Sequence, residues 1–238
     1  MNQITGLQEM RFLAQSGGDA ARLASLARAM GVLTEDADPT IAEWEACLLE
    51  LRRTLSGPRI SAELTCPECS EGVALIFGID DLPHQAPNET LLVEEVALKP
   101  LCLSDLEAIE KAPGDRLSTI LTRASGNDTH WAEQQLSGPK RDHILKVLER
   151  ALVGLDLQLG TQCTECSTEI VSSFDVQAFV MAERSGSAKH LLDQVHLIAS
   201  TYHWSESEIL ALTRDRRRAY LDRIERDALQ IEVSDVRY

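Results

Sequence analysis

Apolar residues recur along this chain at two spacings, and the spacing changes where the elements change. Residues 19–30 place Leu23, Leu26, Ala27 and Met30 at helical intervals, and Gly31 stops the run. Thr40 followed by Glu43 is a capping-box pattern, which predicts a helix carrying Ile41, Trp44, Leu48, Leu51 and Leu55 on one face until Gly57-Pro58. From Arg59 to Thr65 the pattern switches to alternation, with Ile60, Ala62 and Leu64 apolar, which reads as a strand, and 73–79 reads as its partner. Residues 80–90 are turn-rich, with Asp80, Asp81, Pro83 and Pro87, and 91–103 reads as extended. A Ser104/Glu107 capping box opens a short helix to Lys111, 117–124 is helical, 125–139 reads as a loop, and 140–152 is a helix. Strands are expected over 155–161 and 169–176, then helices over 188–202, 206–212 and 214–229.

A shift of 97 residues superposes two blocks of the chain. Leu48, Leu51, Arg53 and Leu55 fall on Leu145, Leu148, Arg150 and Leu152. Cys66, Glu68, Cys69, Ser70 and Phe77 fall on Cys163, Glu165, Cys166, Ser167 and Phe174. Ile60, Val73 and Ile79 fall on Leu157, Ile170 and Val176, apolar on apolar. Each block, about 40–80 and about 137–177, reads helix, strand, C-x-x-C, strand. The likeness of LSGPR at 55–59 to LSGPK at 136–140 lies outside this register and is treated as chance.

Four of the six cysteines form the two C-x-x-C pairs. At a tight turn this spacing lets two thiolates face one ion, and zinc asks for four such ligands in a tetrahedron. One hairpin turn supplies half a site, so a duplicated hairpin supplies a whole one. The expectation is one shared structural zinc site made of Cys66, Cys69, Cys163 and Cys166. A thiol redox pair, disulfides in an oxidising compartment, and an iron ion in place of zinc stand as alternatives. Cys47 and Cys102 lie on apolar faces and read as core residues.

Charge separates the chain into two parts. The whole carries 23 basic and 38 acidic side chains, a net charge of −15. Residues 1–183 hold the entire imbalance, while 184–238 hold 9 basic and 9 acidic groups. A module boundary is therefore expected near Ser185-Gly186-Ser187, between an acidic duplicated body (1–183) and a C-terminal helical docking unit (184–238). The fold class expected is α+β and helix-rich: duplicated helix–β-hairpin units joined by a zinc-ribbon-like four-cysteine site, plus the helical unit. Only 4% of residues are aromatic, so Leu, Ile, Val and Ala must build the core. The acid excess opposes broad affinity for nucleic-acid backbones. No apolar run is long enough for a membrane span, and MNQITGLQEMRF has no charged-then-apolar signal pattern.

Catalytic signatures are missing from the sequence. No P-loop, dinucleotide fingerprint, H-E-x-x-H or G-x-S-x-G occurs. Asp115, Asp128 and His130 are loop residues without a supporting pattern, so no catalytic residue is assigned and no small-molecule substrate is expected.

The last segment carries Leu191, Leu192, Val195, Ile198 and Ala199 as one stripe, then a Ser205/Glu208 capping box, then Tyr220, Leu221, Ile224 and Ala228. Arg214, Arg216, Arg217, Arg218, Arg223 and Arg226 crowd its final helix. Tyr202, His203 and Trp204 form either a local core or part of a contact surface. The partner-binding set expected is Tyr202, His203, Trp204, Arg214, Arg216, Arg217, Arg218 and Tyr220.

The segment His203-Trp204-Ser205-x-x-Glu208-Ile209-Leu210-x-Leu212, followed by Arg216-Arg217-Arg218-x-Tyr220-Leu221, resembles the C-terminal helices of small proteins from contractile-tail clusters. Chain length and paired cysteine knuckles are similar to the T-even-type phage baseplate family, including relatives in phage-like contractile injection systems. The resemblance centres on 188–226 and extends to 40–176. It implies a non-enzymatic baseplate hub or assembly protein whose partners are other tail proteins. It also implies a place in the bacterial cytoplasm during assembly or in the finished particle. The competing expectation is a zinc-ribbon nucleic-acid-binding module.

Overall fold

The computed structural model describes residues 4–82, 90–93, 96–151, 154 and 157–235. In chain order the elements are α1 (Gly6–Ala14), α2 (Asp19–Ala29), α3 (Ile41–Ser56), β1 (Arg59–Thr65), β2 (Gly72–Gly78), β3 (Leu91–Val93) and β4 (Val96–Leu98). Then follow α4 (Leu103–Lys111), α5 (Arg116–Ser125), α6 (Thr129–Ser137), α7 (Arg141–Ala151), β5 (Leu157–Gln162), β6 (Glu169–Phe174), α8 (Val176–Tyr202), α9 (Glu206–Ala211) and α10 (Arg214–Asp235). The strands pair only as three antiparallel two-stranded ribbons, β1–β2, β3–β4 and β5–β6, among the described residues. The helix-rich α+β class with duplicated hairpins is therefore the architecture observed. Pro83, His84, Pro87, Glu94, Glu95, Leu152 and Leu155 lie outside the described residues.

Isolated two-stranded ribbons are marginal in water, so each must be held by packing. In the unit formed by Gly17–Val180, the two cysteine ribbons pack on one another through Val73, Ile170, Cys66 and Cys163 with Leu64 against them, and the expected face of α3 is buried, with Trp44, Leu48 and Leu51 fully enclosed, as is Ile60 on β1. A second cluster joins Leu98 and Leu101 to Leu121, Ala124, Ala132, Leu136, Ile144, Val147 and Leu148. Polar groups tie the elements further. Trp44 Nε1 donates to Gln177 Oε1 at 2.9 Å, Gln177 Nε2 donates to Glu110 at 3.3 Å, and Glu110 accepts from the Ala20 amide. Glu110 thereby caps α2 from another helix. A Cβ at Gly18 would collide with the Glu110 side chain, so the cap and the glycine go together.

The other unit contains residues 1–16 and 181–238. This corrects the expected 1–183 body, because α1 packs with the C-terminal helices. Its core is Leu191, Val195, Ile198, Ile209 and Leu210, with Met10, Tyr202, Trp204, Tyr220, Leu221 and Ile224 against them. The charge contrast survives the new boundary: 13 basic against 27 acidic groups in Gly17–Val180, and 10 against 11 in the rest.

Three further expectations change. Ser185-Gly186-Ser187 is not a linker but lies inside α8, since one glycine costs a helix only about 1 kcal/mol and apolar anchors such as Val180 and Leu191 hold it on either side. The 125–139 loop contains α6, whose N-cap is Asp128 and which buries Ala132 and Leu136. Helix α4 starts at Leu103, and Asp105, not Glu107, reaches back to the amide of its cap residue Cys102 at 3.1 Å. Ser104 instead bonds Asp38.

The duplication runs further than the cysteine blocks. Every residue pair of β5–β6 is a β1–β2 pair moved by 97 residues: Ile60 faces Phe77 and Leu157 faces Phe174, Thr65 faces Gly72 and Gln162 faces Glu169. The same shift carries α1 onto α4 end for end, and α2 onto α5 with the same first position. The caps match as well. Thr5 N donates to Gln8 Oε1 at 2.8 Å, and Cys102 N donates to Asp105 Oδ2 at 3.1 Å.

Candidate metal centre

The two C-x-x-C turns are built alike, bond for bond. Cys66 N donates to Glu71 O at 2.9 Å and Ser70 N to Cys66 O at 3.0 Å; Cys163 N donates to Thr168 O at 2.9 Å and Ser167 N to Cys163 O at 3.0 Å. Closing so tight a loop forces a left-handed residue after the second cysteine, and both turns place a serine there, Ser70 at φ +62° and Ser167 at +60°. The Glu71 and Thr168 amides donate to the thiols of Cys69 and Cys166, and the four thiols point to a common centre.

The four sulfurs meet. Cys66 Sγ lies 3.5 Å from Cys166 Sγ, Cys69 Sγ 3.5 Å from Cys163 Sγ, and Cys69 Sγ 3.6 Å from Cys166 Sγ, with all four within 4.8 Å of one another. Four sulfurs at about 2.3 Å from one tetrahedral ion would stand about 3.8 Å apart. A disulfide would need about 2.05 Å, and all six cysteines are free thiols. The two 3.5 Å pairs exchange under the 97-residue shift, so the site has an internal pseudo-twofold. The cluster residues Cys66 and Cys163 are buried beside Val73 and Ile170, while Cys69 and Cys166 are exposed. This donor set can hold one metal ion, and four thiolates would leave that ion no open position for chemistry.

The two exposed thiols are pulled in opposite directions. The hydroxyl of Thr168, 3.3 Å from Cys166 Sγ, and its amide draw Cys166 down to about 6. The Glu71 amide pulls Cys69 down, but hydrogen bonds shared with Cys163, burial, and the neighbouring Cys166 and Cys66 push it up to about 12. Exposed Glu68, Glu71, Glu165 and Glu169 surround the turns, making the rim acidic.

The expected partner-binding residues divide on inspection. Tyr202, Trp204 and Tyr220 are half-buried and form a triangle, with ring centroids 5.4, 5.4 and 5.0 Å apart. They belong to the core of their unit. His203 is exposed and ends α8 in the left-handed region at φ +58°, its amide bonded to Ala199 O at 2.8 Å. Ser205 then caps α9, with Glu208 completing the box as expected.

Arg217 is a correction. It is fully buried, with Nη2 2.9 Å from Glu9 Oε2, Nη1 2.8 Å from Leu212 O and Nε 3.2 Å from Gln194 Oε1. An arginine committed to the interior cannot present itself to a partner. Arg214 is half-buried and bonds Ser187 Oγ. Arg216, Arg218, Arg223 and Arg226 remain exposed, and Arg223 lies over the Tyr220 ring at 5.8 Å. Sequence reasoning missed Glu9 as the partner of Arg217, because 208 residues separate them.

Asp115 and Asp128 are the helix N-caps of α5 and α6. Cys47 and Cys102 are half-buried. Among the described residues no helix is long and apolar enough to cross a membrane. No family model matches the chain, and neither a curated protein nor a solved structure matches it.

Proposed function

We propose that the protein is a non-enzymatic structural or assembly component that works through protein–protein contacts, with its duplicated hairpins fastened by one structural zinc ion. The observation that carries this reading is the convergence of four sulfurs from two copies of one hairpin. A closed four-thiolate site supplies folding free energy rather than catalysis. Zinc is the ion proposed because a structural role asks for no redox chemistry, which zinc lacks; the sulfur spacing itself accommodates zinc or iron.

The setting we propose is the baseplate of a contractile phage tail or injection system, where the exposed arginines of α10 beside the Tyr202–Trp204–Tyr220 triangle dock on another tail protein. Arginine flanking aromatics is a frequent composition for interface hot spots. A nucleic-acid role draws less support, because exposed Asp222, Glu225 and Asp227 interleave with these arginines and the hairpin tips are acidic.

Two measurements test this. Elemental analysis of the purified protein should find one zinc per chain. Co-expression with the neighbouring tail proteins should give a complex that survives purification and weakens when Arg216, Arg218 and Arg223 become Glu. Absence of any complex, or one unaffected by the triple change, would remove the docking role.

A further inference from the structure

The unit made of 1–16 and 181–238 is completed by a segment from the opposite end of the chain. Helix α1 is clipped to it by a short antiparallel bridge: Arg214 N donates to Ile4 O at 3.0 Å and Gly6 N to Leu212 O at 3.3 Å, around the pair Thr5 and Thr213. The repeat explains this contact. Helix α4, the counterpart of α1, is clipped by the same two bonds: Ile41 N donates to Leu101 O at 2.9 Å and Leu103 N to Pro39 O at 2.9 Å, around Cys102 and Thr40. Ile4 and Gly6 are the 97-residue equivalents of Leu101 and Leu103. In both units the receiving strand is the stretch just before a helix, α3 in one and α10 in the other.

The seat for α1 is specific. A Cβ on Gly6 would lie 2.9 Å from Leu210 Cδ2, 3.0 Å from Arg217 Nη1 and 3.1 Å from Leu210 Cα, so a larger residue there would force the seat to shift. One turn on, the carboxylate of Glu9 meets buried Arg217. Met10 completes the apolar cluster. The seat thus reads an extended residue pair, a glycine, and an acid within the first helical turn.

Two facts set α1 apart from α4. Helix α4 is clipped to the helices that directly precede it in the chain, whereas α1 is clipped to helices that come long after it. The chain leaving α1 does not stay in the same unit: it passes through the exposed residues Gln15, Ser16 and Gly17 and enters the Gly17–Val180 unit. Every bond that holds α1 can therefore be made by the identical segment of another molecule, and exchange of an identical element is a low-cost route to association.

We propose that a second copy of this chain is the partner at this seat: residues 4–14 of each copy occupy the Leu212–Arg217 seat of the other. The test uses the full chain. Thr5 and Thr213 form a pair flanked by the two main-chain bonds, a geometry whose Cα atoms stand about 4.5 Å apart and within disulfide range. Thr5→Cys chains and Thr213→Cys chains are mixed, unfolded with metal retained in the buffer, refolded together at high concentration and oxidised mildly. Interchain cross-links joining the two positions are expected, mapped by mass spectrometry of the linked peptides. The unmodified chain should show, by light scattering, a mass rising from 26.3 kDa toward twice that value as concentration increases. A mass fixed at one chain over the whole range would overturn the proposal. So would a doubled mass without the 5–213 cross-link, since the copies would then be joined elsewhere.

Discussion

Phe77 packs edge to face on Phe174, its own equivalent under the 97-residue shift, with ring centroids 5.7 Å apart. A residue touching its own counterpart marks the pseudo-twofold axis, as in an isologous dimer interface. The sulfur pairs Cys66–Cys166 and Cys69–Cys163 straddle the same axis at equal distances. Both hairpins therefore share one fastening, and neither is independent of the other.

Cys66→Ser should abolish metal binding at the four-cysteine site and loosen both hairpins. Hydrogen exchange is expected to speed up in 59–78 and in 157–174 together, while 191–212 stays protected because that unit has its own core. Structural zinc contributes about 10–16 kcal/mol in small peptides that depend on it, and the helical core of this unit makes the loss here partial. If only 59–78 loosened, a shared site would be ruled out.

Arg217→Met should destabilise the α1-containing unit by about 3–5 kcal/mol, because Glu9 would be left as a buried, unpaired charge. Adding Glu9→Leu should recover most of that loss, since a buried ion pair exchanged for apolar packing is often neutral. Denaturant unfolding of the two single variants and the double variant measures both effects. A loss below about 1 kcal/mol for Arg217→Met would contradict the burial of the pair.

Bonds from Ser205, side chain first and then amide, hold the Glu208 carboxyl below its usual value of 4.5. With the folded value depressed, the stabilisation is present above pH 4.5 and is lost as pH falls through the lower folded value. Glu208→Gln keeps the reach back to the Ser205 amide but does not titrate. Its melting temperature should therefore drop less steeply than that of the native chain between pH 5 and 3. Parallel curves would show that the box contributes nothing at acid pH.

His203→Gly should stabilise the protein by about 0.5–1 kcal/mol, as glycine occupies the left-handed region without the side-chain penalty. The same variant separates a cap from a contact. Thermal melts report the cap, and capture of the partner protein proposed above reports the contact. Destabilisation would mean that the imidazole holds something beyond the turn.

The hairpins, their repetition after 97 residues and the four cysteines were readable because the chemistry there tolerates little change. A thiolate cannot be replaced, and the closure after the second cysteine repeats Ser70 as Ser167. The helical half of the repeat was not readable. Between α1 and α4 no residue is identical at matched positions, and what persists is a cap geometry and one apolar pair, Phe12 and Ile109. Such equivalence lives in backbone bonds that many sequences can make. Helix α6 was hidden for a related reason: Gly126, Asn127, Gly138 and Pro139 flank a run whose only buried residues are Ala132 and Leu136. The role of Arg217 depended on a partner at the far end of the chain, beyond the reach of any local pattern. Surface-facing Arg216 and Arg218 stand beside it in sequence and gave it the look of a surface residue.

The duplicated hairpins also change how the metal centre responds to dilution. Were the two halves on separate chains, occupancy would be an association equilibrium, and a dilute solution would lose it. On one chain, joining the halves is closure of a loop, whose entropic cost depends only weakly on its length and not at all on concentration. Each half is then free to diverge on its outer face, and it has: exposed Ile76 answers to Ser173, and exposed Val171 to Ala74. A single polypeptide can so present two different surfaces around one symmetric clasp, something a true homodimer cannot do.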